Sequence, residues 1–290
     1  MNPLNIQKIL LKKDLMNTYV INNYSRLKPF LFFLPLFFLI IIFLFLYSQD
    51  ALCTGKYIEI QKDSFFFINY NLGQYPNLQF NLTQLGDALI FLSFLSIFIV
   101  YAPKIWESLL SSLLVSLIFS CLLKRIFAVP RPAAVFNNNS FIIVGKTLCG
   151  QNSLPSGHSI VVFAILTVLL IAFMPKDLKF RILWIFLIII IGLILIFTRV
   201  GVGAHYPLDV IIGGIVGYIS GLFGIFISRK YKIWTWINNK KYYPIFILLF
   251  VICCISLINR IINDNLIIFY FSFASLAVSL YKIINVYVKK

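Results

Sequence analysis

The chain has 290 residues, 61% of them hydrophobic and only 12% charged, with a mean hydropathy of +0.95. These proportions exclude a soluble globular protein and place the chain in a bilayer. The formal charge of +16 does not mark a nucleic-acid binder, because the cations lie in short segments between apolar runs and form no single exposed basic domain.

Residues 1–29 form a polar, basic leader, in which Ile6, Ile9, Leu10 and Leu15 interleave with Lys8, Lys12 and Lys13. That interleaving is the pattern of an amphipathic helix lying on a membrane surface. No small-residue cleavage site follows the first apolar run, which therefore reads as a retained anchor. A crossing of about 30 Å of hydrocarbon needs roughly 20 apolar residues. Such runs recur at approximately Phe30 to Tyr47, Asp87 to Tyr101, Leu109 to Val129, Ser159 to Met174, Ile182 to Thr198, Leu208 to Ser228, Pro244 to Ile258 and Leu266 to Tyr281, predicting eight spans. With no soluble domain, heptad tract or repeat between them, the fold class is all-α, a polytopic membrane helical bundle.

Two connecting segments are longer than a simple turn needs. Residues 48–86 contain Phe65-Phe66-Phe67 among polar residues, and either lie in the interface and gate lipid entry or hold a buried aromatic plug. Residues 130–155 carry Asn137-Asn138-Asn139. Of the five cysteines, Cys121, Cys253 and Cys254 fall in spans, while Cys53 and Cys149 fall one in each long segment. The latter two either pair, as an extracytoplasmic compartment permits, or are separate thiols.

Charge sets the orientation. With the amino terminus inside, inner segments hold 17 of the 25 Lys and Arg residues, including the 229–243 basic loop and Lys289 and Lys290 in the tail. Three of the remaining cations, Lys124, Arg131 and Arg199, belong to the clusters described next. The positive-inside bias then places both termini in the cytoplasm.

Lys124 and Arg131-Pro132 end the third span, Pro155-Ser156-Gly157-His158 opens the fourth, Arg199 ends the fifth, and His205 to Asp209 opens the sixth. Alternating directions bring all four ends to the outer face. Ionisable groups near a bilayer are costly unless they face protein or water, so their convergence points to one aqueous pocket. His158 and His205 are the only histidines. His205 and Asp209 are four apart on one helix face, with Pro207 suited to the first turn. The carboxylate can accept the Nδ1 proton and leave Nε2 as a nucleophile, although a His–Asp pair can also simply join two helices. Ser156 fits a helix cap and Gly157 a close backbone approach, so that the helix start can bind an anion beside His158, a candidate acid and base. Lys124, Arg131 and Arg199 match the charge that phosphate oxygens demand, although any one of them alone reads as a snorkelling interfacial cation. Arg125, Lys146 and Arg260 have no such company and read as interfacial cations.

Together the clusters resemble the signature of the phosphatidic acid phosphatase type 2 superfamily: Lys, six residues, Arg-Pro; Pro-Ser-Gly-His; then Ser-Arg, five residues, His, three residues, Asp. One departure is Thr198, where the family usually has serine. The resemblance implies a six-span phosphatase core over residues 30–228, with residues 244–290 adding two C-terminal spans and a cytoplasmic tail. It implies a reaction without cofactor or metal, through a phosphohistidine on His205, with His158 as acid then base and Asp209 orienting the nucleophile. Lys124, Arg131, Ser156, Gly157 and Arg199 would bind phosphate. The implied substrate is a membrane lipid phosphate; an outward site, with a composition rich in Ile, Lys, Asn and Phe, suggests a bacterial plasma-membrane enzyme acting on lipid A or undecaprenyl diphosphate. A lipid-to-lipid phosphotransferase and, from another class, an anionic lipid transporter remain alternatives.

Overall fold

The structure, a computed structural model, describes the backbone of residues 3–288 and the side chains of residues 14–288. The expected amphipathic face around Ile6 to Lys13 lies outside the described side chains, as do Lys289 and Lys290. Among the described residues the elements are helical.

Helix α1 (Pro3–Ser25) precedes α2 (Phe33–Ser48), the first long apolar helix. The long connecting segment of residues 48–86 then folds into α3 (Thr54–Glu59), α4 (Lys62–Gly73) and α5 (Pro76–Thr83). The second expected span is not one helix. It is broken into α6 (Ala88–Leu95) and α7 (Phe98–Tyr101), and α6 is bent by 76° from the helical segment before it. Eight residues of helix rise only about 12 Å, so neither piece crosses hydrocarbon by itself. At the break, Ser96 donates its hydroxyl hydrogen to the Ser93 carbonyl at 2.7 Å, the kind of local bond that competes with helix continuation.

The core follows: α8 (Pro103–Phe127), the short α9 (Pro132–Val135), α10 (Gly157–Ala172), α11 (Leu178–Gly201) and α12 (Pro207–Lys230). Helix α10 has 16 residues and α12 has 24, and the two form the centre of the bundle with α8 against them. A helix that is apolar all round, as α10 is, belongs inside a bundle. A stripe of glycines on α12 allows the close packing. A side chain at Gly213 would reach within 2.7 Å of the Ser156 carbonyl oxygen, and one at Gly217 would collide with the Ile160 carbonyl. By contrast, α2 and α11 leave Phe37, Ile40, Phe186 and Ile194 exposed, as lipid-facing helices do.

The last two helices, α13 (Tyr243–Asp264) and α14 (Ile267–Val288), form a hairpin. With Trp106 of α8, Ile90 and Ile99 they make a second apolar cluster on the broken α6–α7 side. Polar ties reinforce the contact. The Asn81 side chain accepts from the Ile268 N–H at 3.1 Å, Ser96 and Ser279 bond at 2.7 Å, and Arg260 pairs with Asp87 at 2.8 Å. Arg260 is therefore not the solitary interfacial cation that its sequence context suggests, because the break after α5 brings Asp87 beneath it.

At the end opposite the clusters, α1 lies against the last turn of α10. The Asn23 side-chain amide donates to the carbonyls of Ala172 and Met174 at 3.0 and 3.1 Å, and the Tyr19 hydroxyl donates to Met174 at 2.8 Å. These bonds occupy carbonyls that a helix end leaves without partners.

Candidate active site

Four helix ends meet where the sequence pattern places them. The last turn of α8 carries Lys124, and Ala128 closes that helix in the left-handed conformation at φ 44°. The chain then turns through Arg131, whose N–H is held by the Gly150 carbonyl at 3.0 Å. The end of α11 is tied to the next turn: Ala204 and His205 donate their N–H groups to the Arg199 carbonyl at 3.0 and 3.2 Å. Gly203, at φ 75°, makes that reversal possible. Main-chain bonds alone thus set Arg199 beside His205.

Asp209 stands in the first turn of α12 and is fully buried. Its Oδ2 accepts the Tyr206 N–H at 3.0 Å, closing the helix start. The same oxygen accepts the Ser153 hydroxyl at 2.5 Å and lies 3.5 Å from His205 Nδ1. Ser153 Oγ is itself 3.3 Å from Nδ1. The pair therefore shares a face, as the spacing of four requires, but Nδ1 and Oδ2 stand 3.5 Å apart, with the Ser153 hydroxyl bridging them from one side. The other carboxylate oxygen, Oδ1, accepts the hydroxyl of Tyr57 at 2.8 Å.

Burial comes first, and the charges of Arg131, Arg199 and Lys124 come next, in holding the His205 imidazole well below its ordinary pKa. The ring is thus kept neutral, the form in which a ring nitrogen keeps its lone pair. His158 lies within electrostatic reach of Arg199, His205, Lys124 and Arg131. Its ring packs on Gly86, which ends the connecting segment of residues 48–86.

The cations are held at fixed angles. Arg131 donates through Nε to Asn152 Oδ1 at 2.6 Å and through Nη1 to the Ala204 carbonyl at 3.3 Å. Arg199 donates through Nη1 to Thr83 Oγ1 at 2.9 Å, while its buried Nε has no partner among the described residues. Lys124 Nζ is 3.6 Å from the point where a Cβ on Gly157 would sit, over the start of α10. Ser156 caps that helix, its hydroxyl accepting from the Ser159 N–H at 3.4 Å, and gives its own N–H to the Asp209 carbonyl at 3.0 Å. The N–H groups of Gly157 and His158 occupy the first turn, where a helix supplies no acceptor. Thr198 gives its hydroxyl hydrogen to the Leu195 carbonyl of its own helix at 2.5 Å. A cavity of about 370 Å³ is lined by Arg199 with Thr83, Gln84, Lys146, Ala204 and Asp264 among others.

The structure thus brings together His205, His158, Asp209, Lys124, Arg131, Ser156, Gly157 and Arg199. It does not bring Cys53 and Cys149 together as a disulfide. Both are free thiols: Cys53 stands at the start of α3, and Cys149 donates to the Ala133 carbonyl at 3.7 Å in the connecting segment of residues 130–155. Sequence reasoning misses Tyr57, Thr83, Asn152 and Ser153. Only Ser153 carries a local hint, standing three residues before Ser156 in the strand of chain that enters α10.

Residues 106–233 match the PAP2 superfamily. An undecaprenyl-diphosphatase from Sulfolobus acidocaldarius is 28% identical over 184 residues, spanning 62% of this chain and 84% of that protein. The crystal structure of Aquifex aeolicus LpxE aligns with a TM-score of 0.47 and 23% identity, over 59% of this chain and 96% of that one. The PAP2 segment contains every residue of the three sequence clusters. Tyr57, Thr83 and Gly86, which reach into the same site, lie outside it, as does the α13–α14 hairpin.

Proposed function

We propose that the protein is an integral-membrane lipid phosphatase that works without a metal ion, through a phosphohistidine on His205. One observation carries this reading: a neutral, buried His205 beside three cations and the open start of α10, with the second histidine in the same cluster. Such a pocket favours a dianionic group and supplies a nucleophile for it.

In the first step the Nε2 lone pair of His205 attacks phosphorus. A P–N bond forms as the P–O bond to the lipid breaks, and His158 delivers a proton to the departing oxygen. Lys124, Arg131, Arg199 and the first-turn N–H groups meet the charge that spreads over the equatorial oxygens. In the second step His158 takes a proton from water, the hydroxide attacks phosphorus, and inorganic phosphate leaves as the P–N bond breaks. Asp209 stabilises the positive imidazole of the intermediate. Residues 30–228 are the catalytic core in this reading, with the hairpin of residues 244–288 as its flank.

The substrate class that fits is an isoprenoid or glycolipid carrying an exposed phosphate or diphosphate. The relative from Sulfolobus acidocaldarius supports undecaprenyl diphosphate before lipid A. Both termini are placed in the cytoplasm and the site on the outer side of a plasma membrane; the charge bias of the loops supports this orientation.

The test supplies purified protein, in detergent with a metal chelator, with terminally ³²P-labelled undecaprenyl diphosphate and with labelled lipid A. Free inorganic ³²P and an acid-labile label on the protein are expected. Label appearing only on a second lipid would replace hydrolysis with phosphotransfer. Intact lipid in every arm would reject the enzyme reading and leave the transporter.

A further inference from the structure

We propose that Tyr57, from the outer segment, is a positioning residue for the reaction: its hydroxyl fixes the Asp209 carboxylate and, through it, the orientation of His205. This rests on the histidine-nucleophile reading above.

The carboxylate has two oxygens with different company. Oδ2 is occupied by the Ser153 hydroxyl and the Tyr206 N–H, and it is the oxygen beside His205 Nδ1. Oδ1 receives Tyr57 at 2.8 Å. With Oδ1 held, the carboxylate plane cannot rotate to exchange its oxygens, and Oδ2 stays turned towards the imidazole. Without it, a buried carboxylate oxygen would lack a donor, and the plane would be free to seek one.

The bond is built into the fold. Tyr57 is 4% exposed and Asp209 0%. The next turn of the chain repeats the attachment: Gln61 Oε1 accepts the Leu208 N–H at 2.8 Å, and Gln61 Nε2 donates to the Tyr57 carbonyl at 2.8 Å. Helix α3 and Gln61, two residues beyond it, are thus bonded to two successive residues of α12. The Tyr57 phenol is kept protonated, and so a donor, because burial and then the Asp209 charge raise its pKa. The residue lies outside the matched PAP2 segment, so the core of this chain borrows the orientation of its carboxylate from an attached element.

The variant Tyr57→Phe removes one oxygen and keeps the ring that fills the site. Losing a hydrogen bond to a buried charged group commonly costs about 10–100-fold. Phosphate release by Tyr57→Phe should fall in kcat by that range, with KM changed less than twofold. A carboxylate deprived of a donor also holds an imidazolium more tightly, so the acid limb of kcat/KM should move to higher pH. Lys56→Ala, which breaks only the exposed Lys56–Glu59 pair on the same helix, should match the wild type. Incorporation of 3-fluorotyrosine at position 57 covers the case in which Tyr57→Phe does not fold: a stronger donor of the same shape should move the acid limb to lower pH. An acid limb that stays put in folded Tyr57→Phe or in the 3-fluorotyrosine protein, or a KM rise with kcat intact in either, would overturn the proposal. Wild-type protein that releases no phosphate from any lipid would instead defeat the underlying enzyme reading.

Discussion

Gly86 lies against His158 so closely that a methyl group on it would sit 2.6 Å from both Cβ and Cδ2 of the histidine. The histidine opens the central helix of the core, while the glycine ends the connecting segment of residues 48–86, outside the matched family region. One residue of the attached element therefore sets the space available to one of the two histidines.

Substituting that glycine is expected to displace the imidazole while leaving the bundle intact. Misplacement of a reacting group by about 1 Å can cost on the order of 100-fold in rate. Gly86→Ala should therefore lower kcat by roughly that factor. A melting curve in detergent close to that of the wild type would assign the loss to the site. An unchanged kcat would show that His158 does not act where its ring now stands.

His205→Asn keeps a polar side chain of similar breadth but removes the nucleophilic ring nitrogen. It should bind lipid and release no phosphate, with no label trapped on the protein. Asp209→Asn leaves the nucleophile but weakens the stabilisation of its positive charge, so a small residual rate should persist. Equilibrium lipid binding measured beside single-turnover phosphate release separates the two variants. Full activity of His205→Asn would refute the nucleophile.

The pH profile follows from the lowered pKa of His205. A base with a lowered pKa stays unprotonated to more acidic pH, so kcat/KM should remain level as pH falls through about 6.5, the ordinary imidazole value, and decline only below it. After burial, the charge of Arg131 does most to lower that pKa. Arg131→Gln should therefore move the acid limb upward as well as slow the reaction. A limb that moved downward would contradict the electrostatic assignment.

The sequence made the reactive cluster readable because its groups sit at helix ends of long apolar runs, and alternation of spans alone carries those ends to one face. Lys124, Arg131, His158, Arg199, His205 and Asp209 all emerge this way. The broken α6–α7 segment was hidden because its composition is as apolar as that of a true span, and only serine bonds such as Ser96 to Ser93 reveal the break. Tyr57 and Thr83 were hidden for another reason. Each reaches the site from more than 100 positions away in the chain, through a single hydrogen bond to Asp209 or Arg199 that no local pattern encodes. The aromatic run divided its labour: Phe65 is buried against Phe136, Phe141 and Tyr206 as a plug would be, whereas Phe67 is 71% exposed.

The packing of α10 on α12 gives a stability test that is independent of chemistry. At Gly217 a side chain would meet the Ile160 carbonyl, the Phe163 side chain at 2.8 Å and the Ala164 nitrogen at 3.1 Å. Two of these three neighbours are backbone atoms of a fully enclosed helix and cannot rotate away. Overpacking of a close-packed interior typically costs about 1–3 kcal/mol, and here the strain can be relieved only by separating the two helices that carry His158 and Asp209. Gly217→Val should therefore lower the unfolding midpoint in detergent and, in the molecules that remain folded, lower kcat as well. Gly55→Val offers the comparison, since a side chain there meets nothing within 4 Å. Equal loss of stability in the two variants would mean that α10 and α12 do not rely on close approach.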